Sequence, residues 1–588
     1  MDYSSLHSMI MKLNQVSMGE MACDLLLKNC SLINVYSNEI IKNTQISILG
    51  DRIAYVGMDA SHTIGPNTLI IDLKCMYISP SFADSHIHMD QFVLPAEFIK
   101  NSLLRGVTAF FSDPIDIVSV CGYRGFVNFL DLLKDIPSRI FTTIPGGLPV
   151  DYEFSECKNL SNQQEKIALN LPHVIGLGEV FSWAKVTNRN SLIMEKLSTM
   201  LKNNHIINGH TAGATTKKLN AYISSGILSC HEPIDFNEFI ERLRLGMWLM
   251  IRDGSIRRDL SNIIPHVVTN KIYNNKLMFC SDGLNPSDIK NIGHIDHCIR
   301  ESIKCGLNPI SAICIASKNC FDYYNLNKDF GGISPGKVAD MVVFDDIKKI
   351  KPIQVFVGGR LIVSRGTILT PFKNRNIPNW ITKTIKTKKF SQDNFKTNVK
   401  LKHTTAMTIY LKTEIITTQN YVDLQNDNGN ILPSFDKDVW KVAAIDRIFN
   451  SNKYYVGFLQ NFGSDIGAFA STWSFHENNI VVIGSNENDM AVAANNLIQM
   501  GGGMIIIKNS KILAALPLQY AGILSTDTFD KVLDNFNQIN SILIDSGCKF
   551  RKPYLIPLFL TFLALPEVRI TCNGIVNVKS KSYEQITK

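Results

Sequence analysis

The stretch "SFADSHIHMD", residues 81–90, places two histidines one residue apart, directly after a run of small and apolar residues. Side chains two positions apart on a β-strand point to the same face, so His86 and His88 direct both imidazoles the same way. The spacing predicts either two metal ligands at the end of a barrel strand or two polar residues on the outer face of a strand. The pair alone does not decide between these alternatives.

The region from about residue 79 to residue 325 alternates short apolar runs with helix-like segments. Each run closes on polar or ionisable residues, as in "GVTAFFSD", "VIGLGEVF", "HIINGHTAG", "GILSCHEP", "WLMIRDGS" and "KLMFCSDG". Repeated βα units of this size and number predict an α/β fold whose parallel strands close into a TIM-like (β/α)8 barrel. In such a barrel the functional residues lie at the C-terminal ends of the strands.

Strand and turn signals dominate the two segments that flank this region, residues 24–78 and 326–370. Because they lie on both sides of the barrel in the sequence, we predict that they form one small β-sandwich. The remaining parts of the chain are predicted to be an N-terminal helical segment (1–23), a basic linker (371–403) and a C-terminal α/β domain (404–588).

Composition places the 588-residue chain among soluble globular proteins of several domains, with 45% hydrophobic and 19% charged residues. Its net charge of +8 is mild and falls largely within the linker, so we expect no nucleic-acid partner. No run of eighteen apolar residues is present, so no membrane span is expected. The thirteen scattered cysteines favour a reducing compartment, the cytoplasm.

Six ionisable residues each close an apolar run in the barrel region. Taken singly, a strand-end histidine is usually structural, a glutamate usually forms a salt bridge, and an aspartate before glycine usually belongs to a turn. Taken together they would meet at one mouth of the barrel. They are His86, His88, Glu179, His210, His231 and Asp282.

Imidazoles and carboxylates without thiolates suit Zn²⁺, Mn²⁺ or Fe²⁺ in an open, water-bearing site. Six ligands exceed the needs of one catalytic ion, so we predict a site for two metals bridged by Glu179. Metal ions in such a site make hydroxide from water at neutral pH. Asp282 is predicted to accept the proton and pass it to a leaving group.

The order H-x-H, Glu, His, His, Asp between two halves of a β-sandwich resembles the amidohydrolase superfamily. Longer stretches resemble the bacterial-type adenine deaminase family within it, from about residue 20 to residue 580. They include "GHTAGATTKKLNAYISSGILSCHE", "LRLGMWLMIRDGSIRRDL", "CSDGLNPSDIKNIGHIDHCIR" and, in the C-terminal domain, "NNIVVIGSNENDMAVAANNLIQMGGGMIIIKN".

This resemblance implies a binuclear site of Mn²⁺ or Fe²⁺, with Zn²⁺ as an alternative, held by the six residues named above. It implies the hydrolysis of adenine to hypoxanthine and ammonia through attack of metal-held hydroxide on C6, a purine salvage reaction. The partner would be a small purine base, and we expect a homo-oligomer, a dimer. Arg252, Asp90 and Asp116 are expected to contact substrate, with support of the metal ligands as the alternative for Arg252.

Several positions depart from the family pattern around this metal site. An isoleucine cannot move a proton, so the function of the family histidine at position 115 is absent. The departures leave open a different heterocycle or cyclic amide as substrate, or a weakly active or inactive paralogue. We expect that His476 does not replace the lost C-terminal histidine, and that His294 and His297 cap a helix or face solvent. The departures are Asp90, Ile115, Asp116, Gly283, Leu284, Phe475 and Asn478.

Overall fold

The computed structural model describes residues 3–272, 275–399 and 403–587 of the chain. From residue 82 onward, short buried strands alternate with helices, and the ladders between neighbouring strands are parallel. The predicted fold class, an α/β protein with a (β/α)8 barrel, is confirmed. The eight barrel strands are Phe82–Ile87, Val107–Ser112, Arg139–Ile144, Val174–Val180, Ile206–Gly209, Ser229–Cys230, Trp248–Arg252 and Leu277–Cys280.

Two seams close the barrel where its two sheets meet. Between the fifth and sixth strands, the Gly209 amide donates to Ser229 Oγ at 3.1 Å. Between the eighth and first strands, the His88 amide donates to the Asp282 carbonyl at 3.0 Å, and the Asp282 amide donates to the His86 carbonyl at 2.9 Å. The second seam therefore fixes the H-x-H pair against Asp282.

Helices cover the outside of the barrel and bury their apolar faces against the strands. In the helix Phe236–Arg244, Asp235 caps the N-terminus by accepting from the Glu238 amide at 2.9 Å. Arg242 on the same helix faces inward, and its Nη2 donates to the Thr211 carbonyl at 2.8 Å. The helices between and after the strands are Pro95–Leu103, Ile115–Leu132, Asn162–Ala168, Trp183–Thr187, Ser191–Lys202, Thr216–Ile223, Phe236–Arg244, Leu260–Thr269, Pro286–Asn291, Ile295–Lys304, Pro309–Ile315 and Lys318–Tyr323.

The strands that flank the barrel in the sequence join in one nine-stranded sheet. Its two halves meet where Tyr77–Pro80 pairs antiparallel with Met341–Phe344. The helix Tyr3–Ser17 precedes this sheet in the chain. The other strands of the sheet are Leu25–Asn34, Glu39–Leu49, Arg52–Gly57, Leu69–Asp72, Gln354–Val357, Arg360–Ser364 and Thr367–Ile368.

The basic segment after residue 370 packs against the C-terminal domain. Its only regular element among the described residues 371–399 is a 3₁₀ turn, Gln392–Phe395. Phe390 and Phe395 are buried, and the Phe390 amide donates to Asn495 Oδ1 at 2.9 Å. The segment is therefore anchored by aromatic residues, while most of its lysines stay exposed.

The C-terminal domain is built on a second nine-stranded sheet and a smaller three-stranded one. None of the helices in the described ranges combines the length and apolar character needed to cross a bilayer. The strands of these two sheets are His403–Leu411, Thr417–Asp427, Asn430–Ile431, Val439–Ile445, Tyr454–Gln460, Ala468–Ser471, Ile480–Gly484, Gly503–Lys508, Lys511–Pro517, Val568–Thr571, Gly574–Asn577 and Ser582–Glu584. Its helices are Glu487–Met500, Phe529–Asp545 and Ile556–Leu560, with a 3₁₀ turn at Pro553–Leu555.

The C-terminal domain contacts the barrel mouth through a short parallel strand pair and an aromatic contact. The strand Phe92–Val93, which follows the H-x-H stretch, pairs in parallel with Leu524–Ser525 of the C-terminal domain. The Trp473 ring packs edge-on against the Phe92 ring, with centroids 4.6 Å apart. The loop that carries Trp473 is therefore held beside the ends of the barrel strands.

Candidate active site

The two histidines of the first strand are both buried, with His86 1% and His88 8% exposed. His88 Nδ1 lies 2.7 Å from the Asp113 carbonyl oxygen, which can only accept a hydrogen bond. Nδ1 therefore donates, and the Nε2 lone pair is free to face the interior of the site. The strand geometry orients both imidazoles toward the same point, as the sequence spacing predicted.

Glu179 lies between two groups of histidines. Its Oε1 is 3.3 Å from His88 Nε2. Its Oε2 is 2.7 Å from His210 Nδ1 and 3.2 Å from His231 Nε2. Each oxygen of the Glu179 carboxylate therefore faces a different group of imidazoles.

Because residue 178 is a glycine, the Asp113 side chain can approach the backbone beside Glu179. A Cβ on Gly178 would lie 2.0 Å from Asp113 Oδ2, so no other residue fits without moving Asp113. The Asp113 carboxylate uses this space to accept from the Glu179 amide at 2.9 Å. Asp113 thus holds both His88 and Glu179, one through its carbonyl and one through its side chain.

Asp282 lies against the other side of the histidine cluster. Its Oδ1 is 3.3 Å from His86 Nε2 and 3.4 Å from His88 Nε2. Its backbone adopts φ 61°, in the left-handed region that aspartate tolerates better than most residues. Its Oδ2 forms an ion pair with Arg252 Nη2 at 2.6 Å, so one oxygen faces the histidines and the other faces the guanidinium.

The donor atoms of these residues fit a divalent metal site. They form three overlapping groups, each with donor atoms within 4.8 Å of one another. Within the described residues, His86 Nε2 and His231 Nε2 are buried without a hydrogen-bond partner, an arrangement that is costly unless another ligand occupies the space. Burial, together with the neighbouring His86, lowers the pKa of His231 to about 4, so its imidazole is neutral, as a metal ligand must be.

Burial opposes ionisation of both carboxyl groups at the centre, but their neighbours reverse the effect. The surrounding imidazoles of His210, His231 and His88 hold the pKa of Glu179 well below its usual range. The Arg252 guanidinium and the imidazoles of His86 and His88 hold the pKa of Asp282 well below its usual range. Both groups are therefore carboxylates at neutral pH.

Glu232 belongs to the same cluster, although the sequence analysis did not single it out. Its carboxylate forms ion pairs with Arg252 and, at 2.8 Å, with Arg257 Nη1, and it lies 3.5 Å from His231 Nε2. Burial opposes its ionisation, but His210, Arg252 and Arg257 hold the pKa of Glu232 at about 2. Its position directly after His231 in "SCHEP" was the available signal.

The C-terminal domain contributes polar groups through one loop. Trp473 Nε1 donates to Asp116 Oδ2 at 3.0 Å, and Asn478 Nδ2 lies 3.3 Å from Asp116 Oδ1. His476 Nδ1 lies 3.2 Å from Asp116 Oδ1, and its ring stacks on Phe181 with centroids 5.5 Å apart. His476 is therefore buried beside Asp116, one residue after the position where the family histidine is expected.

Asp90 lies near Asp116, and only one of its two carboxylate oxygens accepts a hydrogen bond from the described residues. Its Oδ2 accepts from the Ile117 amide at 2.9 Å. Its Oδ1 is buried and has no hydrogen-bond partner among the described residues. Burial and the nearby Asp116 raise the pKa of Asp90 to about 7. Asp90 and Asp116 therefore form a pair of neighbouring acids.

The structure gives physical reasons for three of the departures from the family pattern. A Cβ at Gly283 would lie 2.7 Å from Gln91 Oε1, so an amide oxygen fills the space that a second aspartate would enter. Ile115 is fully buried in the apolar core. Phe475 packs between Trp473 and Phe559, with ring centroids 5.3 and 5.1 Å away. Positions 115 and 475 thus serve packing here.

His294 occupies the N-cap position of the helix Ile295–Lys304, but its side chain forms no capping hydrogen bond and does not face solvent, so the predicted role of the side chain was wrong. The side chain is buried, and Nε2 lies 2.7 Å from Asp84 Oδ2. His297 remains partly accessible and lies 3.8 Å from Glu301. Asp84 also accepts from the Ser281 hydroxyl at 2.5 Å, so His294 supports the seam between the first and eighth strands.

Comparison with known proteins covers nearly the whole chain. The amidohydrolase family matches residues 77–387, and the adenine deaminase C-terminal domain matches residues 414–582. An adenine deaminase of Cenarchaeum symbiosum (strain A) is 50% identical over 574 residues, covering 98% of this chain and 94% of that protein. An adenine deaminase of Kosmotoga olearia is 32% identical over 577 residues, covering 97% of each.

Among solved structures, a β-aspartyl dipeptidase of Fervidobacterium islandicum AW-1 aligns with a TM-score of 0.46 and 16% identity, covering 60% of this chain and 98% of its own. The curated relatives are similar along both the barrel and the C-terminal domain. The two matched families lie in the same order as the barrel and the C-terminal domain. The chain belongs to the adenine deaminase family of the amidohydrolases.

Proposed function

We propose that this protein is a hydrolytic deaminase that converts adenine and water to hypoxanthine and ammonia. The observation that carries the proposal is the convergence of four imidazoles and two carboxylates at one mouth of the barrel. That cluster lies in a chain 50% identical over its length to a curated adenine deaminase. The reaction breaks the bond from C6 to the amino nitrogen and forms one from C6 to oxygen.

The proposed metal site holds two divalent ions, with Mn²⁺ or Fe²⁺ as the first candidates and Zn²⁺ as an alternative. Glu179 would bridge the ions. When bound, such ions lower the pKa of water so that hydroxide forms near neutral pH. The ligands are His86, His88, Glu179, His210, His231 and Asp282.

Asp282 is the proposed proton carrier. Its carboxylate stays ionised at neutral pH, so it can accept a proton from the attacking water. The ion pair with Arg252 fixes its second oxygen and keeps the first one facing the histidines. The Arg252 guanidinium already forms ion pairs with both Glu232 and Asp282. We therefore infer that Arg252 positions Asp282 rather than binding substrate.

Asp90, Asp116 and His476 are the proposed contacts with the purine. The unpartnered Oδ1 of Asp90 is a hydrogen-bonding group ready for a ring nitrogen or an amino group. Trp473, His476 and Asn478 fix Asp116 from the C-terminal domain. We propose that His476 supplies the imidazole that position 115 lacks. The His476 ring lies beside the carboxylate of Asp116, the residue that directly follows position 115.

The test is ammonia release from adenine by protein reconstituted with Mn²⁺, with guanine, cytosine and dihydroorotate as competing substrates. Adenine is expected to give the highest kcat/KM and to yield hypoxanthine in equal amount to ammonia. Turnover of another heterocycle with none of adenine would refute the proposal. That second candidate, an amidohydrolase of a different heterocycle, is favoured only by the departures at Ile115, Gly283, Leu284 and Phe475.

Replacing His476 with alanine is expected to lower kcat for adenine by about 10²-fold, the usual contribution of a group that transfers a proton. Metal content is expected to stay unchanged, because His476 is not among the metal donors. Steady-state kinetics and metal analysis measure both quantities. The matched control is His266→Ala on the outside of the barrel, which should leave kcat unchanged. Equal activity of both variants would remove His476 from the mechanism.

Two expectations from the sequence accompany this proposal. We propose a cytoplasmic location, where a purine salvage enzyme meets its substrate. We also propose a homodimer.

A further inference from the structure

A cleft of about 300 Å³ lies on the side of the barrel, between the helix Ile115–Leu132, the basic segment and the C-terminal domain. Four of the residues that line it are cations: Arg124, Lys158, Lys383 and Lys386. Among the described residues, no carboxylate lines it. An adjoining cavity of about 510 Å³ shares Arg124 and Lys158, and the described residues that line it include no acid either.

The described residues provide no carboxylate partner for these four cations. Within the described parts of the chain, none of the four forms an ion pair with a carboxylate, in contrast to Lys134, Lys196 and Lys441 elsewhere. Burial, together with the nearby Lys386, lowers the pKa of Lys158. Like charges gathered in a concave surface repel one another and create a positive potential that an anion relieves.

The cleft also offers aromatic and hydroxyl groups. The Arg124 guanidinium lies 4.1 Å from the centre of the Trp380 ring, which forms one wall. Thr384 Oγ1 in the same lining is buried and has no hydrogen-bond partner among the described residues. A planar guanidinium on an indole is a surface on which a heterocycle can stack, while the lysines bind a phosphate as point charges.

We propose that this cleft binds a nucleoside monophosphate, with the phosphate held by Lys158 and Lys386 and the base against Arg124 and Trp380. The volume is at the lower end of the range for small-molecule sites. That size fits one nucleotide and not a folded nucleic acid. The site is separate from the metal centre, since no proposed metal ligand lines it.

The cleft shares its helix with the active site. The Lys158 amide donates to the Ser119 carbonyl at 2.7 Å, and Asn478 Nδ2 donates to Ser119 Oγ at 2.7 Å. Asn478 also donates to Asp116 Oδ1 at 3.3 Å, so three hydrogen bonds connect the cleft residue Lys158 with the proposed purine contact Asp116. The proposed ligand therefore binds next to the turn that holds Asp116.

Calorimetric titration of the full-length protein with uridine monophosphate tests the site, because a pyrimidine nucleotide does not resemble the active-site substrate. We expect one equivalent to bind with Kd below about 1 mM. Inorganic phosphate and uridine are each expected to bind at least about tenfold more weakly, since each supplies half of the contacts. Phosphate binding as tightly as the nucleotide would overturn the role of the base. No heat at millimolar nucleotide, or tighter binding of a single-stranded oligonucleotide, would overturn the proposal.

Charge reversal at the cleft separates this site from general attraction to a basic protein. Lys158→Glu and Lys386→Glu are each expected to weaken nucleotide binding by at least about tenfold. The matched control is Lys389→Glu, an exposed lysine of the same segment outside the cleft, which should leave Kd unchanged. Thermal unfolding and adenine turnover verify that each variant is folded, and Lys386→Gln replaces any variant that is not. Equal weakening in the control would overturn the proposal.

Discussion

Asp282→Asn is expected to lower kcat for adenine by about 10³-fold or more, within the range lost when a positioned general base is removed. Asparagine keeps the size of the side chain but cannot accept a proton from water. The substitution also removes the charge that pairs with Arg252 Nη2 at 2.6 Å. KM is expected to change much less than kcat, because the lost interaction belongs to the chemical step. Steady-state kinetics of the Mn²⁺-loaded protein measure both.

The matched control for this variant is Asp253→Asn. Asp253 lies at the end of the neighbouring strand and is also largely buried, but it pairs with Arg258 and is not among the metal donors. The control should retain kcat within about threefold, since it alters no group that touches the reacting atoms. Retention of full activity by Asp282→Asn would show that another group moves the proton.

The barrel and the cluster of histidines and carboxylates at its mouth could be predicted from sequence because their signals are local. Short apolar runs that end in His86, Glu179, His210 or Asp282 mark strands and their C-terminal ends without knowledge of any distant contact. The (β/α)8 topology then brings those ends to one mouth. The structure places Glu179 between His88 and His210, and its role as a bridge between two ions stays a prediction.

The groups around the cluster could not be predicted because long-range packing decides them. His476 meets Asp116 across 360 residues of sequence, through a loop whose position depends on the pairing of Phe92–Val93 with Leu524–Ser525. Gln91 fills the space beside Gly283 for the same reason. Position 115 illustrates the limit: the sequence shows that a histidine is missing, but only the fold shows which imidazole lies nearby.

Glu179→Gln is expected to reduce the metal content from about two ions per chain to one or none and to abolish measurable turnover. The amide retains one oxygen, but its nitrogen cannot bind a cation, so a bridge between two ions is lost. The buried histidines on both sides then face a neutral donor where a carboxylate stood. Elemental analysis after extensive dialysis measures the metal content independently of activity.

Glu232→Gln is the matched control for the loss of metal. Glu232 is buried and lies 3.5 Å from His231 Nε2, but it is not one of the residues whose donor atoms form the three candidate metal-binding groups. It should retain both ions while kcat falls, since Arg252 loses one of its two carboxylates and holds Asp282 less firmly. Equal loss of metal in both variants would mean that net negative charge retains the ions, and the bridging role of Glu179 would then be wrong.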